Sequence, residues 1–242
     1  VLMRANPIAV LIAVAVLCTS AVAAPSLLVG PTGSEMMTEM GSPVMGVSES
    51  MSMNPDGTMQ WTGSWATSMW DATWDLTLDE DPGIFGVIGL TNNDPLNTMM
   101  MTYNVSMDVV GAYPTGSFAT GSSSVTVADS NFDGSASLAD QVDGSIYNAR
   151  IDGLFEEALF DRTNPAMPMM LSVSTLGGSM SMNDTFTGVT SQRLDTTMGI
   201  NHMFMLSAGD SATVNSTFYV VPEPMTLSLL GLGGLALIRR RR

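Results

Sequence analysis

What most constrains this chain is its punctuation. From residue 44 to residue 221, short stretches rich in Val, Thr, Tyr, Phe and Trp are interrupted by Gly, Pro, Asn or Asp about every ten residues. Spacing of this kind is too short for βαβ crossovers and suits strands joined by tight turns. It predicts strands at Val44–Met53, Thr58–Ala66, Thr73–Leu78, Phe85–Thr91, Met99–Val110, Ser117–Ala128, Ser145–Ile151, Met169–Thr175, Thr197–Leu206 and Thr213–Val221. Ten such strands imply a mainly β domain, an antiparallel, jelly-roll-like β-sandwich over residues 44–221. Residues 152–160, with acidic Glu156 and Glu157 inside Leu154–Phe160, are the place for one short helix. Residues 24–43 are small, polar and rich in Pro and Gly, and read as a flexible leader.

Charge narrows the function. Residues 24–221 hold 22 acids against Arg150, Arg162 and Arg193, with no lysine, a formal charge of −19. Such a surface repels phosphate backbones, so nucleic acid is excluded as a partner, and it attracts divalent cations.

The two ends read as targeting. Arg4, the apolar run Ile8–Leu17 and the small-x-small triplet Ala21-Val22-Ala23 have the order of a signal peptide over residues 1–23, for a Sec-type export machinery. The single cysteine, Cys18, lies within that segment, so the exported part has no thiol for disulfides, thiolate metal sites or nucleophilic catalysis. At the other end Val221-Pro222-Glu223-Pro224 precedes an apolar run, Met225–Ile238, and then Arg239, Arg240, Arg241 and Arg242. The prolines stop the preceding strand, the apolar run enters a bilayer as a short helix, and the arginines hold the cytoplasmic side. This topology leaves the middle of the chain outside, in agreement with the signal at the start.

Residues 222–242 resemble the PEP-CTERM sorting tail. The resemblance implies recognition by exosortase, cleavage near Pro222-Glu223-Pro224, transient anchoring in the inner membrane, and delivery to the cell surface or an exopolysaccharide-rich matrix. The middle also resembles a β-rich ectodomain that recurs in such proteins, through Asp81-Pro82, Thr91-Asn92-Asn93, Tyr103, Asp129–Gly134, Ile151-Asp152-Gly153 and Gly209-Asp210. That resemblance implies fold and location and no activity.

Five groups of residues bear on chemistry. Asp129, Asn131 and Asp133, with Gly134 next and Asp140 twelfth, have the order of a calcium loop; the same Asp-x-Asn-x-Asp-Gly string is also β-turn chemistry, and the β context favours the turn. The pairs Met51/Met53, Met180/Met182 and Met203/Met205 each place two thioethers on one strand face, an arrangement suited to copper(I), though methionine as core filler explains them more simply. With His202 the sole histidine and no lysine, nucleophilic triads have one chance arrangement at most. Asp152, Glu156, Glu157 and Asp161 are near one another in sequence, the raw material of a glycosidase pair. Trp61, Trp65, Trp70 and Trp74 stack on sugars if exposed and fill the core if not. The expectation is an exported, non-enzymatic surface or matrix protein with a structural or adhesive role and no required cofactor. A carbohydrate-binding module is the alternative, and a polysaccharide hydrolase the third reading.

Overall fold

The computed structural model describes residues 24–42, 44–79, 81–140, 145–161 and 170–221. The signal segment, Arg162, and the sorting residues Pro222, Glu223, Pro224 and Arg239 to Arg242 lie outside them. Fifteen strands follow in chain order: β1 (Ser26–Pro31), β2 (Met36–Glu39), β3 (Ser48–Met53), β4 (Met59–Ala66), β5 (Trp70–Asp79), β6 (Gly83–Asn92), β7 (Met99–Asp108), β8 (Phe118–Ala128), β9 (Ala136–Ala139), β10 (Ser145–Ile151), β11 (Leu154–Asp161), β12 (Met170–Val173), β13 (Ser179–Val189), β14 (Thr197–Leu206) and β15 (Ser211–Val221). They form two antiparallel sheets. Sheet A runs β11-β10-β14-β7-β1-β2, with β9 joining β14 to β12, and sheet B runs β13-β8-β15-β6-β5-β4-β3.

Period-two patterning sets the faces. In β15, Ala212, Val214, Ser216, Phe218 and Val220 are buried while Thr213, Asn215 and Tyr219 face out. Inward side chains of both sheets make one continuous core, with Leu27, Val105 and Ile200 from sheet A meeting Trp61, Ile88 and Phe218 from sheet B. Each large apolar side chain removed from water in this way contributes about 1.5–3 kcal/mol. Polar ties also cross the gap, among them the Tyr147 hydroxyl, which donates to the Thr217 carbonyl at 3.0 Å, and His202 Nε2, which pairs with Ser216 Oγ at 2.6 Å.

All ten expected strands are present within a few residues, and three expectations need correction. Residues 24–42 are not a loose leader but carry β1 and β2, with β1 paired to β7 on one side and β2 on the other and Leu27 and Val29 fully buried. Two alternating apolar side chains suffice because both of β1's edges are hydrogen-bonded. Residues 152–160 form no helix: Asp152 and Gly153 take φ of 50° and 76°, the left-handed pair of a two-residue hairpin turn, and fold β11 back onto β10. Asp-Gly between apolar residues is the hairpin signal that outweighs helix propensity here. Finally, β9 and β13 occupy segments not expected to be extended. Ser, Thr, Asn and Met dominate β13, which lies at the edge of sheet B and needs no apolar outer face. No helix occurs among the described residues, and so none there is long and apolar enough to cross a membrane.

Candidate functional site

The Asp129 loop serves as a junction. Buried Asp129 follows β8, its Oδ1 accepting from the Asp133 amide at 3.2 Å and its Oδ2 from the amides of Gly134 at 3.0 Å and Gly177 at 2.9 Å. Asn131 Nδ2 donates to the Ala208 carbonyl at 3.0 Å and to Asp133 Oδ2 at 3.0 Å. Asp133 Oδ1 accepts from the Ser135 amide and hydroxyl at 2.8 and 2.9 Å, contacts that hold its carboxyl below the usual carboxylate range. The loop thereby ties the β8–β9, β12–β13 and β14–β15 connections together. Three of the four proposed calcium ligands share this loop, while Asp140 sits past the far end of β9, a strand whose extended residues each advance about 3.3 Å. Among the described residues, no group of three or more His, Cys, Asp or Glu is arranged to hold a metal. Buried Asp210, at the neighbouring turn, is pushed above its usual value by loss of solvent, partly offset by the Ser207 hydroxyl and the Ser130 backbone; the charges of Asp133 and Asp129 push it further up.

His202 and Ser216 form a hydroxyl–imidazole pair, but both are sealed between the sheets. Tyr103, its cross-strand partner on β7, stacks on the His202 ring at 5.4 Å and 7°, and Tyr147 meets it edge-on at 5.2 Å. Burial drives the imidazole down to about 3, against a smaller opposing pull from the Ile146 backbone. The ring is therefore neutral at ordinary pH, and no substrate reaches it in this arrangement.

Two of the carboxylates near the β10–β11 turn, Asp152 and Glu156, are bonded to main chain. Burial alone would raise Asp152, but the amides of Thr197, Asp195 and Thr196, with the Thr196 hydroxyl, together hold it below the usual range. Glu156 accepts from the Ser191 amide at 2.6 Å and hydroxyl at 2.9 Å. Glu157 is exposed. Trp61, Trp70 and Trp74 are core residues, Trp61 and Trp74 packing edge to face at 6.2 Å, and Trp65 is half-buried against the same core. Trp74 borders an open depression with Ser48, Thr62, Gly63 and Asp75, although its ring is buried and offers little face to a ligand.

A different surface does form a receptive groove. Arg150 on β10, Gly199 on β14 and Ser106 on β7 lie opposite one another across three strands of sheet A. The next outward rank is Asn148, Asn201 and Asn104. Gly199 has no side chain, so the floor drops between Arg150 and Ser106; a Cβ there would lie 2.9 Å from the Val105 carbonyl oxygen. The result is a groove of about 390 Å³ walled by Asn104, Ser106, Arg150, Thr197 and Asn201. Arg150 Nη1 donates to the Gly153 carbonyl at 3.2 Å, which holds the guanidinium at the groove's end. Phe155, which does not line the groove, is the cross-strand partner of Arg150 on β11 and is 55% exposed. Amides donate and accept, the guanidinium donates in a plane, and the exposed ring offers an apolar face: this is chemistry for a polyhydroxylated ligand. Sequence reasoning missed these residues as a group. Locally, Asn104-Val105-Ser106 has only the form of a glycosylation sequon, and nothing in it reveals that β14 and β10 lie beside these residues.

Comparison with known proteins adds little to this geometry. No family model matches the chain, and no curated protein matches it. Among solved structures, one similar chain is TmCBM61 in complex with β-1,4-galactotriose, at a TM-score of 0.27 and 14% identity over 62% of this chain and 88% of that one. A likeness of that size carries no argument about ligand or site.

Proposed function

We propose that residues 24–221 form a carbohydrate-binding ectodomain that acts by binding rather than catalysis. In this reading the chain is exported through its N-terminal signal and sorted by exosortase through Pro222-Glu223-Pro224 and the arginine tail to the cell surface or exopolysaccharide matrix. The observation that carries the binding role is the groove over Gly199, where Asn104, Asn201, Ser106 and Arg150 converge beside the exposed Phe155 ring. Polar groups of this kind fix hydroxyls in orientation, and a shallow open groove on a rigid sheet suits a stretch of polymer. Affinity electrophoresis of the purified chain through neutral and uronate-containing polysaccharides tests it. Retardation by at least one polymer is expected, and Arg150→Ala with Asn201→Ala is expected to abolish it. Binding that survives both changes would move the site elsewhere, and no retardation at all would end the reading. Sorting has its own readout: in a host with active exosortase the mature C-terminus, measured by mass spectrometry, is expected near Pro224, and recovery of Arg239 to Arg242 would leave only a plain anchor.

A structural or adhesive role is the second reading, supported by the outer face of sheet B. Hydroxyls bridge its strands at Ser50–Thr62 (2.8 Å), Thr126–Ser181 (2.7 Å) and Ser122–Thr217 (2.9 Å), and Phe85 stacks on Tyr219 at 6.1 Å. Such a cross-linked, broad face suits contact with other matrix components more than recognition of one small ligand.

A further inference from the structure

The open edge of the sandwich, where β2 ends sheet A and β3 ends sheet B, gathers thioethers. Thr38 Oγ1 of β2 donates to Glu49 Oε2 of β3 at 3.4 Å, so the two edges face each other. Met51 and Met53 follow Glu49 at every second position and share its side of β3. Met59 is the cross-strand partner of Met53, and Met40 comes from the end of β2 in the opposite sheet. These four methionines, with Ser52, line a single cavity of about 270 Å³.

Core filling explains many methionines in this chain, among them Met101, Met107 and Met198, which are sealed in the interior. It does not explain Met51 and Met53, which are 53% and 66% exposed on an edge strand. Directly paired strand residues have Cβ atoms about 5 Å apart, and three flexible torsions let each sulfur reach a common point.

We propose that Met40, Met51, Met53 and Met59 form a binding site for a soft monovalent cation, copper(I) being the physiological candidate. Thioethers are neutral, polarisable donors that select copper(I) over hard or borderline ions. No imidazole or thiolate lines the cavity, so zinc has no ligand set there, and calcium meets no ring of oxygens. The strongly acidic surface raises the local concentration of any cation without supplying the selectivity. The site is separate from the groove over Gly199 and stands or falls independently of it.

The test uses the full chain carrying Cys18→Ser, which removes its one thiol. Silver(I), a redox-inert probe, is titrated while the methionine methyl resonances are followed by NMR, and copper(I) affinity is measured anaerobically against a chromogenic chelator. One saturable equivalent is expected to move the Met40, Met51, Met53 and Met59 methyls together. Met51→Leu and Met53→Leu are each expected to weaken binding by about tenfold or more, as loss of even an outer-shell partner can, while Met180→Leu changes nothing. Because thioethers carry no proton, affinity is expected to be flat between about pH 5.5 and 8, whereas a carboxylate or histidine site would weaken on acidification. Absence of saturable binding, shifts spread over methionines throughout the chain, or affinity retained in the Met51→Leu, Met53→Leu double variant would each overturn the proposal.

Discussion

Asp129 accepts three backbone amides from two separate connections while almost wholly buried. Hydrogen bonds to a charged acceptor contribute about 1.5–3 kcal/mol each in general, and removing the acceptor leaves its donors stranded. Asp129→Ala is therefore expected to cost about 3 kcal/mol or more, read by urea denaturation, whereas Asp133→Ala, at an exposed position bonded mainly to Ser135, is expected to cost clearly less. A loss at Asp129 no larger than that at Asp133 would contradict the junction role. The same geometry bears on calcium: an ion at this loop would have to compete with amides already bound to its oxygens. We propose that the segment acts as a turn, and that calcium and magnesium at matched ionic strength will raise the melting temperature equally, in wild type and Asp133→Ala alike. A calcium-specific rise lost on substitution would reinstate the metal site.

At the level of elements, β1 shows how little apolar sequence a strand needs when both its neighbours are supplied. Leu27 and Val29 are buried, and every residue of β1 is registered against β7. Removing β1 would expose the edge of β7 and open space beside Val105. Leu27→Ala is expected to destabilise the domain by about 2–5 kcal/mol, the usual range for a buried leucine, and a chain beginning at residue 43 is expected to fail to fold cooperatively. A truncated chain that melts like the parent would show that β1 is dispensable. The β10–β11 hairpin makes the complementary point, since its geometry rests on two residues with positive φ. Gly153→Val, which forces a β-branched side chain into that conformation, is expected to cost about 1–2 kcal/mol by thermal melting. An unchanged melting temperature would show that the turn tolerates another shape.

For the whole molecule, the pairing of the sheets around His202 makes stability depend on pH. Its folded imidazole titrates near 3, well below an ordinary histidine, so between about pH 6.5 and 3 the unfolded chain binds a proton that the folded chain refuses. Stability therefore falls on acidification through that window, by up to about 1.4 kcal/mol per pH unit. Asp210 acts in the opposite sense, since a raised carboxyl binds its proton earlier in the folded state. The lowered carboxyls of Asp56, Asp94, Asp133 and Asp152 are lost as stabilisers only below about 3.8. Urea midpoints are expected to decline from pH 7 to 4.5 in wild type and to flatten in His202→Gln; a flat wild-type profile would mean that the imidazole is not held neutral.

Strand content and the two-sheet class were legible in the sequence, because alternation and turn residues act over a few positions and need no knowledge of neighbours. The burial of the tryptophans agreed with the same local logic. The Asp152-Gly153 hairpin was also written locally and was outweighed in the reading by the acidic residues that follow it. What the sequence could not disclose is lateral order. The groove needs β10, β14 and β7 side by side in one register, bringing Arg150, Gly199 and Ser106 together from positions up to 93 residues apart. The methionine cavity likewise needs the edges of two different sheets to meet. Side-chain periodicity tells each strand which face is inward, but which strand lies next to which is set by packing the whole core at once, and that is where this protein's candidate sites arise.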